Sequence, residues 1–205
     1  MERLIVLLAL LLMPGLAVAQ SPRFTVSGQT LAYDTESGEE DAELTWDDVS
    51  ELRRLLAANP GITTLSLNSG GGSISAGDEM ALIVIDYELD TLVDGECSSS
   101  CVTVFLGGKG RKMTRGSKIG LHSRWWAPED VQAYYEEQKA SENWDTPFEF
   151  GAWIYEDTQA EIHAGLTYLV ERGVEPGFAI EMHAPREDMW YPTRAEMEKA
   201  GVLRD

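Results

Sequence analysis

An apolar segment, Ile62 to Leu67, runs without a spacer into Asn68-Ser69-Gly70-Gly71-Gly72, and helix-type patterning resumes by Ser75. A strand that turns on glycine and re-emerges as a helix is the crossover unit of a parallel sheet, because parallel neighbours need a long connection, usually a helix. The same order returns along the chain. Thr45-Trp46-Asp47-Asp48 has capping-box spacing, with Asp in place of the usual Glu or Gln, and opens a helix. In that helix Trp46, Val49, Leu52 and Leu56 recur at three- and four-residue steps as one buried face, and Asn59-Pro60-Gly61 stops it. Ser75-Ala76-Gly77-Asp78 repeats the capping-box spacing. Met80 to Ile85, apolar on every side, predicts a buried helix, with a strand as the alternative. Leu89 to Val93 and Ile119 to His122 read as strands, Val102 to Leu106 as a buried segment, and Gly107-Gly108-Lys109-Gly110 as a turn. Pro128 suits a first helical position, and a long helix is expected over Trp153 to Arg172, ended by Gly173. Strand, glycine turn and helix in alternation predict an α/β domain with parallel strands.

The chain opens MERLIVLLALLLMPGLAVAQ, with an unbroken apolar run of ten residues from Leu4 to Met13, then Pro14-Gly15 and Ala17-Val18-Ala19. As a helix the run spans about 15 Å, half of a roughly 30 Å hydrocarbon core. A short apolar run, a breaker and an A-x-A site predict a secretory signal over residues 1–19, cleaved after Ala19. The n-region is atypical, since Glu2 offsets Arg3, and a retained anchor is the alternative. The mature chain is expected to be periplasmic or secreted, with no stable membrane insertion after cleavage. Residues 20–205 then suit one domain, with 20–43 as an N-terminal strand and acidic loop at its edge and 44–205 as its body. Acidic residues outnumber basic ones 35 to 16, a net charge of −19. Such a surface repels phosphate backbones and anionic lipid, which argues against nucleic-acid and membrane-surface partners. It reads most simply as solubility.

Cys97-Ser98-Ser99-Ser100-Cys101 holds both cysteines of the chain. Under oxidising conditions two cysteines four apart can pair, since helical i and i+4 Cα atoms lie about 6 Å apart. Burial as two free thiols is the alternative. So short a loop contributes only roughly 2 kcal/mol, so a bond there shapes its surroundings more than it supports a domain. Those surroundings contain three groups that serine acyl transfer uses. Ser98, Ser99 and Ser100 sit at a strand-to-helix junction, where free N–H groups favour a developing anion. Gly70-Gly71-Gly72 can present backbone N–H groups with no side chain in the way. His122 ends a strand 23 residues after Ser99 and can take a serine proton. Taken singly, these are a turn, an N-cap and a structural histidine. The glycines are not a phosphate loop, because no Lys-Ser/Thr follows, and the third glycine of a dinucleotide fingerprint would fall on Ser75.

Together the residues resemble the Clp protease proteolytic subunit. Leu67 to Gly77, LNSGGGSISAG, is similar to that family's "I-N-S-P-G-G-x-x-x-A-G" segment. Cys97 to Cys101, through Phe105 to Arg111, resembles its nucleophile helix and following turn, and Ser117 to His122 its histidine strand. Glu196 to Asp205, EMEKAGVLRD, resembles the closing "EA-x-x-x-G-L-V-D". The C-x-S-x-C spacing is similar to an exported bacterial branch of the Clp protease/crotonase superfamily. The resemblance covers about residues 44 to 205 and implies a spiral of repeated β-β-α units with largely parallel strands. It implies Ser99 as nucleophile, His122 as general base, and an oxyanion hole from the N–H groups of Gly72 and Ser100, with Gly71 allowing close approach. It places the third member of the triad at Asp188, with Glu187 as substitute; a solvated turn acid is the plain reading of Asp188. Gly70 replaces the family's proline, which predicts a more mobile loop. Trp125-Trp126 and five aromatics between Tyr134 and Phe150 replace its usual sequence, so its gating and docking features do not carry over.

The expected function is therefore an exported serine hydrolase, a peptidase acting on a peptide or protein substrate through an acyl-enzyme, without a cofactor, a metal or an ATP-driven unfoldase. A homo-oligomer is compatible with the resemblance. One alternative is a Ser–Lys dyad like that of signal peptide peptidase A, with Lys139 as base. The other is a crotonase-like fold that binds a peptide or partner without turnover.

Overall fold

The computed structural model describes residues 23–38, 43–124, 126–186 and 188–205. The expected signal over residues 1–19, its cleavage point after Ala19, Trp125 and Glu187 lie outside the described residues. A hairpin of β1 (Phe24–Ser27) and β2 (Thr30–Asp34) comes first, followed by α1 (Trp46–Ala58), β3 (Thr64–Ser69), α2 (Ile74–Asp86), β4 (Asp90–Ser98) and α3 (Ser100–Leu106). Then come two short strands, β5 (Arg111–Met113) and β6 (Lys118–Gly120), and four helices: α4 (Pro128–Gln138), α5 (Pro147–Glu171), α6 (Pro176–Met182) and α7 (Arg194–Lys199). The sheet runs β1-β2-β3-β4-β5, with β6 also on β4, and every pairing except the β1–β2 hairpin is parallel. This is the mixed α/β class with a largely parallel sheet that the alternation of elements predicts. β4 is long enough to take both short strands on one side: Thr91 to Val93 pair with β5, and Glu96 to Ser98 with β6.

The strands feed a core from both ends of the chain. Leu31 and Tyr33 of β2, Leu65 and Leu67 of β3, and Val93 and Cys97 of β4 are buried together with Leu52 and Leu56 of α1, Met80 and Val84 of α2, and Phe105 of α3. Asp48 is buried where α1 starts. It accepts from the Thr45 N–H at 2.8 Å, from the Tyr33 hydroxyl at 3.1 Å and from Arg23 at 2.9 Å. The Asp at that capping position thus also anchors the first hairpin to the helix. Burial, then the Asp48 charge and hydrogen bond, push the Tyr33 hydroxyl pKa upward.

Several local expectations shift. Trp46 is exposed, and Leu55 takes its place on the buried face of α1. The second helix is capped by Ser73, whose side chain accepts from the Ala76 N–H, and not by Ser75. That helix exposes Leu82, so it is not buried on all sides. The strand expected at Leu89 to Val93 continues to Ser98. Ile62 is buried but precedes its strand, and the long helix starts at Pro147, six residues before Trp153.

Arg111 is fully buried and, among the described residues, has no carboxylate paired with it. Its guanidinium donates to the carbonyls of Leu106 at 3.2 Å, Arg172 at 3.0 Å, Gly201 at 2.6 Å and Val202 at 2.8 Å. These are the C-terminal ends of α3, α5 and α7, where orphan carbonyls carry partial negative charge, so one cation satisfies three helix ends at once. Burial, with Arg204 and Arg172 nearby, brings its pKa down to about 10.

Candidate active site

The parallel strands β3, β4 and β6 all end at the same edge of the sheet, and the candidate residues sit just beyond those ends. β4 stops at Ser98 and α3 starts at Ser100, so Ser99 occupies the junction with φ +55° and ψ −129°. Its N–H donates to the Gly120 carbonyl at 3.0 Å, and its carbonyl accepts from Val102. The turn aims its hydroxyl at His122, which follows β6: Nε2 lies 2.8 Å from Ser99 Oγ. Cys97 on β4 and Cys101 on α3 are bonded through their sulfurs, with Cα atoms 5.3 Å apart. The bond closes over the turn and joins a strand to a helix, not two turns of one helix.

The glycine loop packs directly on this turn. A Cβ on Gly71 (φ +98°) would lie 2.7 Å from the Ser98 carbonyl oxygen and 2.8 Å from Ser99 Cβ, so only glycine lets the two segments approach so closely. The loop is well tied. Gly70 donates to Glu36 at 2.7 Å, Gly71 accepts from Leu44 at 2.7 Å, and Ser73 donates to Leu44 at 2.9 Å. A proline at 70 could not make the Glu36 bond; here that bond holds the loop instead. Ser100 Oγ donates to the Gly72 carbonyl at 3.2 Å. Among the described residues, no hydrogen bond uses the N–H of Gly72 or of Ser100. Both donors belong to the glycine loop and the Ser99 turn, which pack on each other through Gly71.

The other expected site residues are placed differently. His122 Nδ1 lies 2.9 Å from the Ser123 carbonyl, and Asp188 is exposed with no hydrogen bond to the histidine among the described residues. Asp188 does belong to the segment beside the base, since Leu121 and Trp190 exchange backbone hydrogen bonds and the Ser123 hydroxyl bonds to Arg186. Lys139 lies at the end of α4, half-buried and paired with Glu136, and that carboxylate holds its ammonium above the ordinary lysine range. A dyad base needs a lowered pKa and contact with the serine; among the described residues Lys139 bonds to Glu136 and makes no hydrogen bond to Ser99.

Sequence reasoning passed over Glu96, whose carboxylate binds the neighbour of Ser99. Glu96 accepts from Ser98 Oγ at 2.7 Å, from the Tyr191 hydroxyl at 2.8 Å and from Lys118 at 2.7 Å. One carboxylate thus joins β4, β6 and the segment carrying Asp188. Burial alone would raise its pKa, but the hydrogen bonds from Lys118, Ser98 and Tyr191 and the Lys118 charge hold it below the ordinary glutamate range. The signal in the sequence was only spacing: Glu96 and Ser98 alternate onto one face of β4.

No family model matches the sequence, and no curated protein does. Among solved structures, a ClpP1 mutant from Listeria monocytogenes aligns with a TM-score of 0.54 at 13% identity, covering 86% of this chain and 89% of that one. The protein has a Clp protease-like fold. The likeness is one of fold, and what the site does must be argued from its own groups.

Proposed function

We propose that the protein is a serine hydrolase, a peptidase that works outside the cytoplasm without ATP. The observation that carries this reading is the 2.8 Å approach of His122 Nε2 to Ser99 Oγ at a sharp strand-to-helix turn. In the reaction, Ser99 Oγ attacks the carbonyl carbon of the scissile bond while its proton passes to His122 Nε2. The N–H groups of Gly72 and Ser100 receive the oxyanion. His122 then gives the proton to the leaving amine, and a water molecule, deprotonated by the same nitrogen, releases the acyl group from Ser99. Nδ1 must donate for Nε2 to accept, and the Ser123 carbonyl fixes that tautomer in place of a carboxylate.

A fluorophosphonate probe on the purified protein tests the reading. It should modify Ser99 alone, located by peptide mass spectrometry. Modification of Ser98 or Ser100 equally, or of no serine, would sink it. The second reading, peptide binding without turnover on a crotonase-like fold, is favoured by the exposed position of Asp188, and in that case no acyl-enzyme forms. Export over a signal at residues 1–19 belongs to the proposal. The secreted form should begin at Gln20 by intact mass, and an N-terminus at Met1 counts against it. Self-association belongs to it too, since Phe148, Tyr155 and Ile162 stand exposed along α5. Sedimentation that gives only a monomer would remove that part.

A further inference from the structure

The residues on either side of His122 are both fastened to Arg186 and Trp190. Leu121 donates to the Trp190 carbonyl at 2.9 Å and accepts from the Trp190 N–H at 2.7 Å. On the other side of the base, the Ser123 hydroxyl is used twice on one residue. It donates to the Arg186 carbonyl at 2.7 Å and accepts from the Arg186 N–H at 3.2 Å. These four hydrogen bonds hold the backbone before and after the base without touching its imidazole. Arg186 and Trp190 are in turn tied to each other and to α6. The Arg186 guanidinium stands 4.4 Å from the centre of the Trp190 ring and pairs with Glu181, and the same ring lies 5.5 Å from that of Phe178.

What this clamp steadies is the Ser123 carbonyl, 2.9 Å from His122 Nδ1. A carbonyl can only accept, so Nδ1 donates, and the neutral ring keeps its lone pair on Nε2, 2.8 Å from Ser99 Oγ. A loose backbone at residue 123 would let that carbonyl turn away and let the ring take its other tautomer. In that tautomer Nε2 carries a proton and cannot accept one from Ser99. The Ser123 hydroxyl opposes this, since it grips both the carbonyl and the N–H of Arg186. Orienting the imidazole and fixing its tautomer is the part a buried aspartate plays in the usual triad. Here Asp188 is exposed and makes no hydrogen bond to the histidine among the described residues.

We infer that Ser123 is the positioning residue of the serine–histidine pair: its hydroxyl, clamped on the Arg186 backbone, holds its own carbonyl against His122 Nδ1, so the base is oriented without a carboxylate. This rests on the hydrolase reading above and says how the base of that site is held.

Two measurements test this: hydrolysis of p-nitrophenyl acetate, and nitrogen-15 spectra of the histidine rings, with the His122 signals assigned by their loss in His122→Ala. In mildly alkaline buffer, where histidine is neutral, the wild-type His122 ring should carry its proton on Nδ1 alone. Ser123→Ala should show both tautomers and lose about tenfold in kcat with KM unchanged. Ser123→Thr, which keeps the hydroxyl, should restore the single tautomer and the rate. An unchanged kcat or an unchanged tautomer in Ser123→Ala overturns the inference, whatever that variant's melting temperature. So does a loss of about 10⁴-fold in Asp188→Asn, the scale of a triad carboxylate. A wild type that neither hydrolyses the ester nor labels at Ser99 would instead bring down the hydrolase reading, while the ring spectra would still report whether the clamp sets the tautomer.

Discussion

Ser99 holds a left-handed backbone conformation, at φ +55°, that costs a non-glycine residue on the order of 1–3 kcal/mol. The turn is kept by its surroundings: the hydrogen bond to Gly120, the disulfide across it, and the glycine loop pressed on it. Two substitutions separate this strain from the chemistry. Ser99→Ala should lose about 10⁴-fold or more in kcat/KM with little change in melting temperature, because the strain stays. Ser99→Gly should be equally inactive yet melt roughly 2–4 °C higher, as about 1 kcal/mol of strain is relieved. Equal melting temperatures for the two variants would mean that the turn is unstrained. The meeting of Ser99 with His122 was legible from three features at fixed spacing and from the resemblance they carry. The backbone conformation of Ser99 was not, because no glycine marks it. Asp188 shows the limit of positional reasoning: chain position brings the residue alongside the base, but says nothing of where its carboxylate points.

The elements meet at a few polar knots, and each knot makes a prediction. The disulfide joins β4 to α3 across a short loop, so it contributes little to global stability while it aims Ser99 Oγ and the Ser100 N–H. Replacing Cys97 and Cys101 together by alanine should slow fluorophosphonate labelling at least tenfold, while stability drops by no more than the roughly 2 kcal/mol that so short a loop contributes. A proportionate loss of both would make the bond merely structural. Glu96 ties three segments together, and its carboxyl lies below the ordinary range in the folded chain. Its stabilisation is therefore complete above the ordinary glutamate pKa, near 4.3, and is lost as pH falls through the lower folded value. Glu96→Gln should flatten the acid limb of melting temperature against pH, and an unchanged limb would remove Glu96 as a contributor. Arg111→Met leaves the carbonyls of Gly201 and Val202 without their donor, while Leu106 keeps its bond from Arg172 and Arg172 its bond from Arg204. At about 1–3 kcal/mol for each group left unpaired, the loss should reach ~3 kcal/mol or more, roughly 6–12 °C in thermal melts. A loss within 1 °C would show that water replaces the guanidinium. Periodicity gave helix types and approximate ends, but Arg111 and Glu96 also bond to residues 61 to 95 positions away, and no local pattern records those bonds.

At the scale of the whole molecule, the parallel sheet was legible because strand, glycine turn and helix follow one another in sequence. The packing of the later helices was not, since their aromatic residues could serve a core or a surface. Tyr134, Trp144, Phe150 and Trp153 stack on one another between α4 and α5, whereas Phe148 and Tyr155 face solvent. Charge is the remaining global property, and it has opposite consequences for stability and for catalysis. Eight ion pairs join described residues, most of them exposed pairs that contribute about 0–1 kcal/mol each. They use eight acidic side chains among the described residues, and the chain as a whole carries 35 acidic against 16 basic residues, so repulsion among its carboxylates is not balanced. Raising ionic strength from about 0.01 M to about 0.1 M shortens the screening length from roughly 30 Å to roughly 10 Å. Self-repulsion between distant carboxylates is screened more than short-range pairs are, so melting temperature should rise with salt, by roughly 2–4 °C for each ~1 kcal/mol recovered. The same screening weakens the attraction of a cationic peptide to a chain of net charge −19, so under the peptidase proposal kcat/KM for a lysine-bearing peptide should fall over that range while that for a neutral one changes little. Thermal melts and initial rates in one salt series check both signs. If the two quantities moved together, the charge would act through folding alone and not by steering substrate.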